Sequence, residues 1–310
     1  LLYRNNLDIK VVGITGSVGK TSTKETISYV LNKKYKVLKT EGNFNNEIGL
    51  PLTVFRLRDD DEVAVLEMGI SDFGEMDRLS KIAQPDISVI TNIGLCHLEN
   101  LKTRDGILKA KTEIFNNMKP DGIAILNGDD DKLITVDEVN GKKPERFGIN
   151  YKDGVYAKDI ENLGLSGTKF VISGLNCVDG CKDFEVTVPV PGHHMIYNAL
   201  AAACVGAALE LTSAQIADGI TDLKTISGRN NIIKTSKYTL IDDCYNANPV
   251  SMKASVDVLD MAIGRKVCIL GNMYELGENE KNLHYDVGQY IGTKNIDVLI
   301  TIGDLARHIA

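Results

Sequence analysis

Apolar and polar positions alternate along this chain in two rhythms. Short apolar runs at Lys10–Ile14, Val63–Glu67, Ile87–Ile90 and Ile123–Leu126 read as strands. Between them, helical spacing predicts helices over Lys20–Asn32, Phe73–Ile82 and Arg104–Met118. Strands apolar on both faces and separated by helices predict a parallel sheet covered on both sides. Right-handed crossovers then place the loop after the first strand at the C-terminal edge of that sheet, where open α/β sheets bind ligands.

The rhythm changes over residues 145–190. Runs such as Lys169–Ile172 and Phe184–Val188 are interrupted by Gly, Asn and Asp, which predicts a small antiparallel section. An Ala-rich helix is expected over Met195–Leu209, and a shorter one over Thr212–Ile220 with Thr212 or Ser213 as its N-cap. A second α/β rhythm starts near Ser227, with strands expected at Tyr238–Ile241, Lys266–Leu270 and Asp297–Ile302. Helices are expected at Pro249–Ala262 and Asn279–Ile291. Taking Asp222–Gly228 as the linker divides the chain into domains 1–224 and 225–310. The fold class that follows is α/β: a phosphate-loop parallel sheet domain with a small antiparallel section, then a partial Rossmann-like α/β domain.

Composition narrows the class without naming a function. A chain of 310 residues can bury the cores of two domains. The net charge of -7 argues against a nucleic-acid coat or a membrane-surface role, whereas a small anionic ligand answers to local charge. No apolar run approaches the ~18 residues that span a bilayer, and no signal-peptide pattern opens the chain. None of the six cysteines forms a C-x-x-C pair, and Cys177 and Cys181 are one residue too far apart for the common zinc knuckle. Reduced thiols in a cytoplasmic protein are the expectation, with no nucleic-acid or membrane partner and a monomer as the default. The chain starts Leu1-Leu2 without a Met and ends inside the second α/β rhythm, so a fragment at both ends is expected.

The strongest chemical signal is Gly13-Ile-Thr-Gly-Ser-Val-Gly-Lys-Thr-Ser-Thr-Lys-Glu-Thr26, a strand feeding a glycine-rich turn that opens a helix. Such a turn points several backbone N–H groups at one spot, and the helix dipole adds partial positive charge there. Lys20 can reach the outer phosphates of a nucleotide and the Thr21 hydroxyl can hold Mg²⁺. The strict G-x-x-x-x-G-K-[ST] pattern asks for Gly at position 14, which is Ile; the glycines stand at 13, 16 and 19. Glu67 ends a buried-strand pattern beside this loop, where an acid binds the nucleotide's Mg²⁺; the alternative is a solvated strand-end carboxylate. His97 falls in the loop after another parallel strand, and its position rather than its type marks it. On the expected helix carrying Lys109, Lys111 and Glu113, residues two apart face different ways, and residue chemistry alone leaves all three as solvated groups.

Together these segments resemble the Mur ligase family of peptidoglycan synthesis, and within it the MurF type. The pieces that match are Gly13–Glu25, Gly42-Asn-Phe-Asn-Asn-Glu-Ile-Gly-Leu-Pro-Leu-Thr53, Glu67-Met-Gly69 with Gly74-Glu75, His97-Leu-Glu99 and Ala110-Lys-Thr-Glu-Ile114. Further matches are Gly192-His-His-Met-Ile-Tyr-Asn-Ala199, Gly228-Arg229, Ile241-Asp-Asp-Cys-Tyr-Asn-Ala-Asn-Pro249 and Leu270-Gly-Asn-Met-Tyr-Glu-Leu-Gly-Glu278. The sibling that adds meso-diaminopimelate usually carries Asp-Asn-Pro-Arg, which is absent. Met195 stands where the family often has Asn, and Asn272 where Asp is frequent.

The resemblance implies residue roles. Gly16, Ser17, Val18, Gly19, Lys20, Thr21 and Ser22 would hold the ATP phosphates. Thr21 and Glu67 would bind one Mg²⁺; His97 and Lys111 would hold a second, with a carbamate on Lys111. His194 and Asn198 would lie near the adenine, Arg229 would reach the phosphates and Asp243 the ribose. Lys20, Glu67, His97 and Lys111 would form the catalytic set. The implied activity is an ATP-dependent amide ligase that joins D-alanyl-D-alanine to a UDP-N-acetylmuramoyl-tripeptide through an acyl phosphate. Two rivals stand beside it: a folylpolyglutamate synthase-like ligase, and a nucleotide-binding regulatory module without ligase activity. The second would show a guanine reader if it were a GTPase, and Asn32-Lys33 is followed by Lys34-Tyr35 rather than by the required x-Asp.

Overall fold

The computed structural model describes residues 2–310. A helical turn, α1 (Leu2–Asn5), leads into β1 (Lys10–Thr15), α2 (Lys20–Leu31), β2 (Val37–Lys39), α3 (Gly49–Val54) and β3 (Val63–Glu67). Then come α4 (Glu75–Ala83), β4 (Ile87–Ile90), α5 (Leu98–Leu101), α6 (Arg104–Thr112) and β5 (Ile123–Asn127). Strands β6 (Glu145–Gly148), β7 (Val155–Asn162), β8 (Thr168–Ser173) and β9 (Phe184–Val188) precede α7 (His194–Ala208) and α8 (Ser213–Thr221).

These nine strands form one sheet in the order β2-β3-β1-β4-β5-β6-β7-β8-β9. Neighbours are parallel from β2 through β7, and β8 and β9 continue antiparallel. The antiparallel section expected over 145–190 is therefore the far edge of the main sheet, and β6 and β7 within it pair parallel. Along β1 the side chains alternate: Val12 and Ile14 pack under α2, α7 and α8, while Val11 packs with Leu66, Met76 and Ile107 on the other face. Burial on both faces explains why the strand reads as an unbroken apolar run. Helix α7 is apolar nearly all round because it packs against β5, β6 and β7 of the sheet as well as against α2 and α8, and Ile196, Leu200 and Val205 in it are fully buried. Close approach of α8 to α2 requires Gly219, where an added Cβ would lie 2.4 Å from the Val30 Cα.

The expected helix over Arg104–Met118 runs as α6 and then tightens to a 3₁₀ turn over Glu113–Asn117. The short α3 and β2 carried too little periodicity to be predicted.

Beyond α8 a second unit begins. The hairpin β10 (Asn231–Lys234) and β11 (Thr239–Asp242) is antiparallel, and β10 lay outside the expected strands. Then follow α9 (Pro249–Asp260), β12 (Val267–Leu270), α10 (Glu280–Gly292) and β13 (Val298–Thr301), with β12 and β13 parallel. Its core gathers Met252, Val256, Cys268, Met273, Val287 and Ile291. Asn248 caps α9 through a capping box with Ser251 and Pro249 at its first position, a start signal legible in the sequence. No helix among the described residues is long and apolar enough to cross a membrane.

Candidate active site

The strand order reverses between β1 and β4, since β1 is followed leftward by β2 and β4 rightward by β5. Such a switch point opens a crevice at the C-terminal strand ends. The turn Gly16–Gly19 lies there. Gly16 holds φ 150° and an added Cβ would sit 1.9 Å from Thr91 Oγ1; Gly19 is left-handed at φ 83°. The turn is pinned to the segment after β4. The Ser17 N–H donates to the Asn92 carbonyl (3.0 Å) and the Val18 N–H to Asn92 Oδ1 (2.9 Å). Thr91 Oγ1 and Asn92 Nδ2 both donate to the Val18 carbonyl, at 2.7 and 2.9 Å. No side chain caps α2, so its first N–H groups stay free to meet an anion. Lys20 opens α2, and its amine donates back to the Gly16 carbonyl over 3.0 Å, so the ammonium lies over the turn.

Glu67 ends β3 beside Ile14 of β1 and is 2% exposed. Its Oε1 accepts from Asn45 Nδ2 (2.8 Å); Oε2 is buried without a hydrogen-bond partner, 3.8 Å from the buried Lys24 ammonium. A solvated strand-end carboxylate is thereby excluded. An orphaned, fixed carboxylate oxygen fits a hard cation. No cluster of three or more His, Cys, Asp or Glu side chains able to hold a metal occurs among the described residues. A Mg²⁺ ion held through one such carboxylate would complete its shell with waters and substrate phosphate oxygens.

His97 precedes α5 with φ 50°, and its Nδ1 lies 2.7 Å from Glu275 Oε2 of the second unit. Burial holds its pKa below the ordinary histidine value, and the nearby Lys111 and Lys20 charges act in the same direction against Glu275. Lys111, expected from residue chemistry to be solvated, is instead 1% exposed. Helix α6 packs against α4 and α5, and Lys111 is buried along with Ile107 and Ala110 while Lys109 faces water. Burial first, then the Lys20 charge, pushes the Lys111 amine down to about 8. Glu113 is also engaged, accepting the Gly74 N–H at 3.0 Å and the Asp77 N–H at 3.3 Å. Lys20, His97 and Lys111 thus share one neighbourhood, with Glu67 two strands from β4 along the same edge.

A cavity of about 360 Å³ lies between the units, lined by Val18, Gly19, Ser22, His194, Asn198, Arg229 and Asp243 among others. Gly16, Ser17, Lys20, Thr21, Glu67, His97 and Lys111 lie outside this lining, along the sheet edge. Asn198 Oδ1 accepts from Thr23 Oγ1 (2.9 Å), tying α7 to α2. The Arg229 guanidinium lies over the Tyr245 ring at 4.1 Å and brings Nη2 to 3.5 Å from Thr21 Oγ1. Asp243 Oδ1 accepts the Asn230 N–H (3.1 Å), and its Oδ2 bonds Ser255. Within the wall, Asp129 accepts the Ile149 and Tyr151 N–H groups (both 2.6 Å) and the Tyr197 hydroxyl (2.9 Å).

Two family models together cover most of the chain that carries this glycine turn, the buried Lys111 and the cleft between the units. Residues 14–206 match the Mur ligase middle domain, and residues 228–310 match the Mur ligase glutamate ligase domain. The chain belongs to the Mur ligase family. It is similar to the UDP-N-acetylmuramoyl-tripeptide–D-alanyl-D-alanine ligase of Bacillus subtilis, at 40% identity over 311 residues, covering 99% of this chain and 66% of that protein. Among solved structures it resembles MurF from Acinetobacter baumannii, with TM-score 0.92, 34% identity and coverage of 99% of this chain and 66% of the other. It also resembles MurF ligase from Thermotoga maritima in complex with ADP, with TM-score 0.88, 32% identity and coverage of 99% and 71%. The chain therefore spans just under two thirds of the Bacillus relative's length.

This Mur ligase chain also engages residues to which sequence reasoning gave no role. Asn45 and Glu275 stood inside the Gly42–Thr53 and Leu270–Glu278 stretches that carried the resemblance, and Asn92 follows directly on β4. Lys24 stood in the phosphate-loop stretch but carried no sign that it would be buried.

Proposed function

We propose that this chain is the nucleotide-binding and catalytic part of an ATP-dependent amide ligase. It would join D-alanyl-D-alanine to a UDP-N-acetylmuramoyl-tripeptide, two domains (1–224 and 225–310) sharing the work in a monomeric cytoplasmic enzyme. The observation that carries this is the shared neighbourhood of Lys20, His97 and the buried Lys111 at the turn that cradles phosphate. The MurF-type relatives support the choice of substrates.

A carboxylate is a poor electrophile, and phosphorylation by ATP gives it a leaving group. The amine of D-alanyl-D-alanine then attacks the acyl phosphate and inorganic phosphate departs. The residues' work is positioning and charge neutralisation. Gly16 to Ser22 would present N–H groups to the phosphates, and the Lys20 ammonium, held over the turn, would offset charge on the transferring phosphoryl. His194 and Asn198 would border the base, and Asp243 the ribose. Arg229 would close over the phosphates from the second unit and exclude water. Thr21 with Glu67, and His97 with Lys111, would hold two Mg²⁺ ions, whose charge stabilises the phosphoryl oxygens when bound. We assign a carbamate to Lys111. The ammonium first loses a proton; the neutral amine then adds to CO₂, a C–N bond forms as one C–O π pair moves onto oxygen, a second proton leaves, and a buried cation has become an anion with hard oxygen donors.

The test is phosphate release by the full-length protein. It is expected only when ATP, the UDP-linked tripeptide and D-alanyl-D-alanine are all present. ATP turnover indifferent to D-alanyl-D-alanine would reject the reading and favour the regulatory-module rival; glutamate as the preferred amine would favour the folylpolyglutamate-like one.

A further inference from the structure

We infer that Glu275 is a positioning residue for His97: it accepts the Nδ1–H from across the cleft and so leaves Nε2 as the ring nitrogen with a free lone pair for the second metal ion. The inference rests on the two-metal reading above and adds a residue to it. Nδ1 and Glu275 Oε2 stand 2.7 Å apart. A histidine that ligates a metal commonly donates its other ring N–H to a carboxylate, which fixes the tautomer and the ring orientation. Here that carboxylate comes from the other structural unit.

The loop carrying Glu275 is built to aim it. Met273 and Leu276 on either side are buried in the second unit's core. The Met273 N–H donates to His284 Nε2 (2.9 Å), and Asn272 Oδ1 accepts the Ala306 N–H (2.9 Å). Between these anchors the Glu275 backbone takes φ 62°, and His97 takes φ 50°, a conformation non-glycine residues rarely adopt. The carboxylate is 61% exposed and makes no other ion pair among the described residues. An exposed carboxylate on a loop so anchored, with one partner across a cleft, follows where the second unit goes. Arg229 makes the matching contact to Thr21 at the first metal position. Closure of the second unit would therefore set the tautomer of His97 at the same time as it brings Arg229 to Thr21, and the second ion would bind tightly only in the closed enzyme.

The experiment is a Mn²⁺ titration of the full-length protein, followed by electron paramagnetic resonance in the presence of a non-hydrolysable ATP analogue. The wild type is expected to bind two ions. Glu275→Ala should weaken the weaker site about 10-fold or more, the usual cost of losing a partner behind a metal ligand. Its melting temperature should stay unchanged. Glu275→Gln keeps an oxygen acceptor for Nδ1–H and should restore most of the lost affinity. An unchanged weaker site in Glu275→Ala, or a Gln variant no better than Ala, overturns the inference alone. A wild type that binds a single Mn²⁺ overturns the two-metal reading and the inference with it.

Discussion

Asn45 Nδ2 donates to Glu67 Oε1 over 2.8 Å, while Oε2 is buried without a hydrogen-bond partner, 3.8 Å from the Lys24 ammonium. One oxygen is thus fixed by an amide while the other is held for something else. The Asn45 carbonyl also accepts the Gly69 N–H at 2.8 Å, so the segment before α3 and the end of β3 are one rigid piece. Asn45→Ala should raise the Mg²⁺ concentration for half-maximal activity about 10-fold or more while the melting temperature stays near wild type. Metal titration of initial rates reads this, and a superimposable titration curve would contradict the assignment of Glu67 to a metal.

Gly16 tests the turn itself. A Cβ there would meet Thr91 Oγ1 at 1.9 Å and Thr91 Cβ at 3.1 Å, and φ 150° is strained for any L side chain. Thr91 cannot yield easily, because its hydroxyl donates to the Val18 carbonyl that holds the turn. Gly16→Ala should cost about 1–3 kcal/mol of stability and at least 10-fold in nucleotide affinity. Thermal melting and isothermal calorimetry measure the two separately. Wild-type values for both would mean the turn is softer than described.

The strands β3 and β4 could be read to the residue because burial on both faces leaves a continuous apolar run. The order strand, glycine turn, Lys-Thr and helix was likewise legible as β1, turn and α2, since each part has its own local signature. Lys111 shows where local reading ends. Its burial depends on how α6 packs against α4 and α5, a tertiary fact with no trace in the spacing of Lys109, Lys111 and Glu113, and only the family resemblance pointed to it. Strand β10 was missed for a related reason: its Ile232 and Ile233 form too short a run, and the pairing with β11 supplies what periodicity lacks.

Lys20→Ala removes the one ammonium folded over the turn. ATP affinity or turnover in the full-length protein should fall at least about 100-fold, equal to about 2.7 kcal/mol. The fold should survive, since Lys20 is only partly buried at the first position of α2. Unchanged ATP affinity and turnover would count decisively against the phosphate-loop assignment.

Lys111→Ala should abolish ligation, and short carboxylates such as acetate or formate should return part of it. The reasoning is chemical: a small carboxylate supplies in trans the oxygen anion that a carbamate would supply in place, within the space the lysine vacates. Rates with and without added carboxylate, compared with added chloride at equal ionic strength, decide it. Full activity in the plain Ala variant removes the carbamate from the account.

His194 gives the fold a pH dependence of defined sign. Burial holds its imidazole below the ordinary histidine value, the Asp243 charge opposes this, and His193 adds to the lowering. The unfolded chain takes up a proton at about pH 6.5, where the folded chain does not. The unfolded state therefore binds more protons below that pH, and stability falls as the solution is made more acid; above it the residue has no effect. His194→Gln removes this one titration and leaves the others. Thermal midpoints of the two proteins should run parallel above about pH 6.5 and converge or cross below it, as wild type loses stability relative to the variant. Curves that stay parallel through this range would mean that the His194 ring is hydrated in the folded protein and that the cavity wall beside Asn230 is open to water.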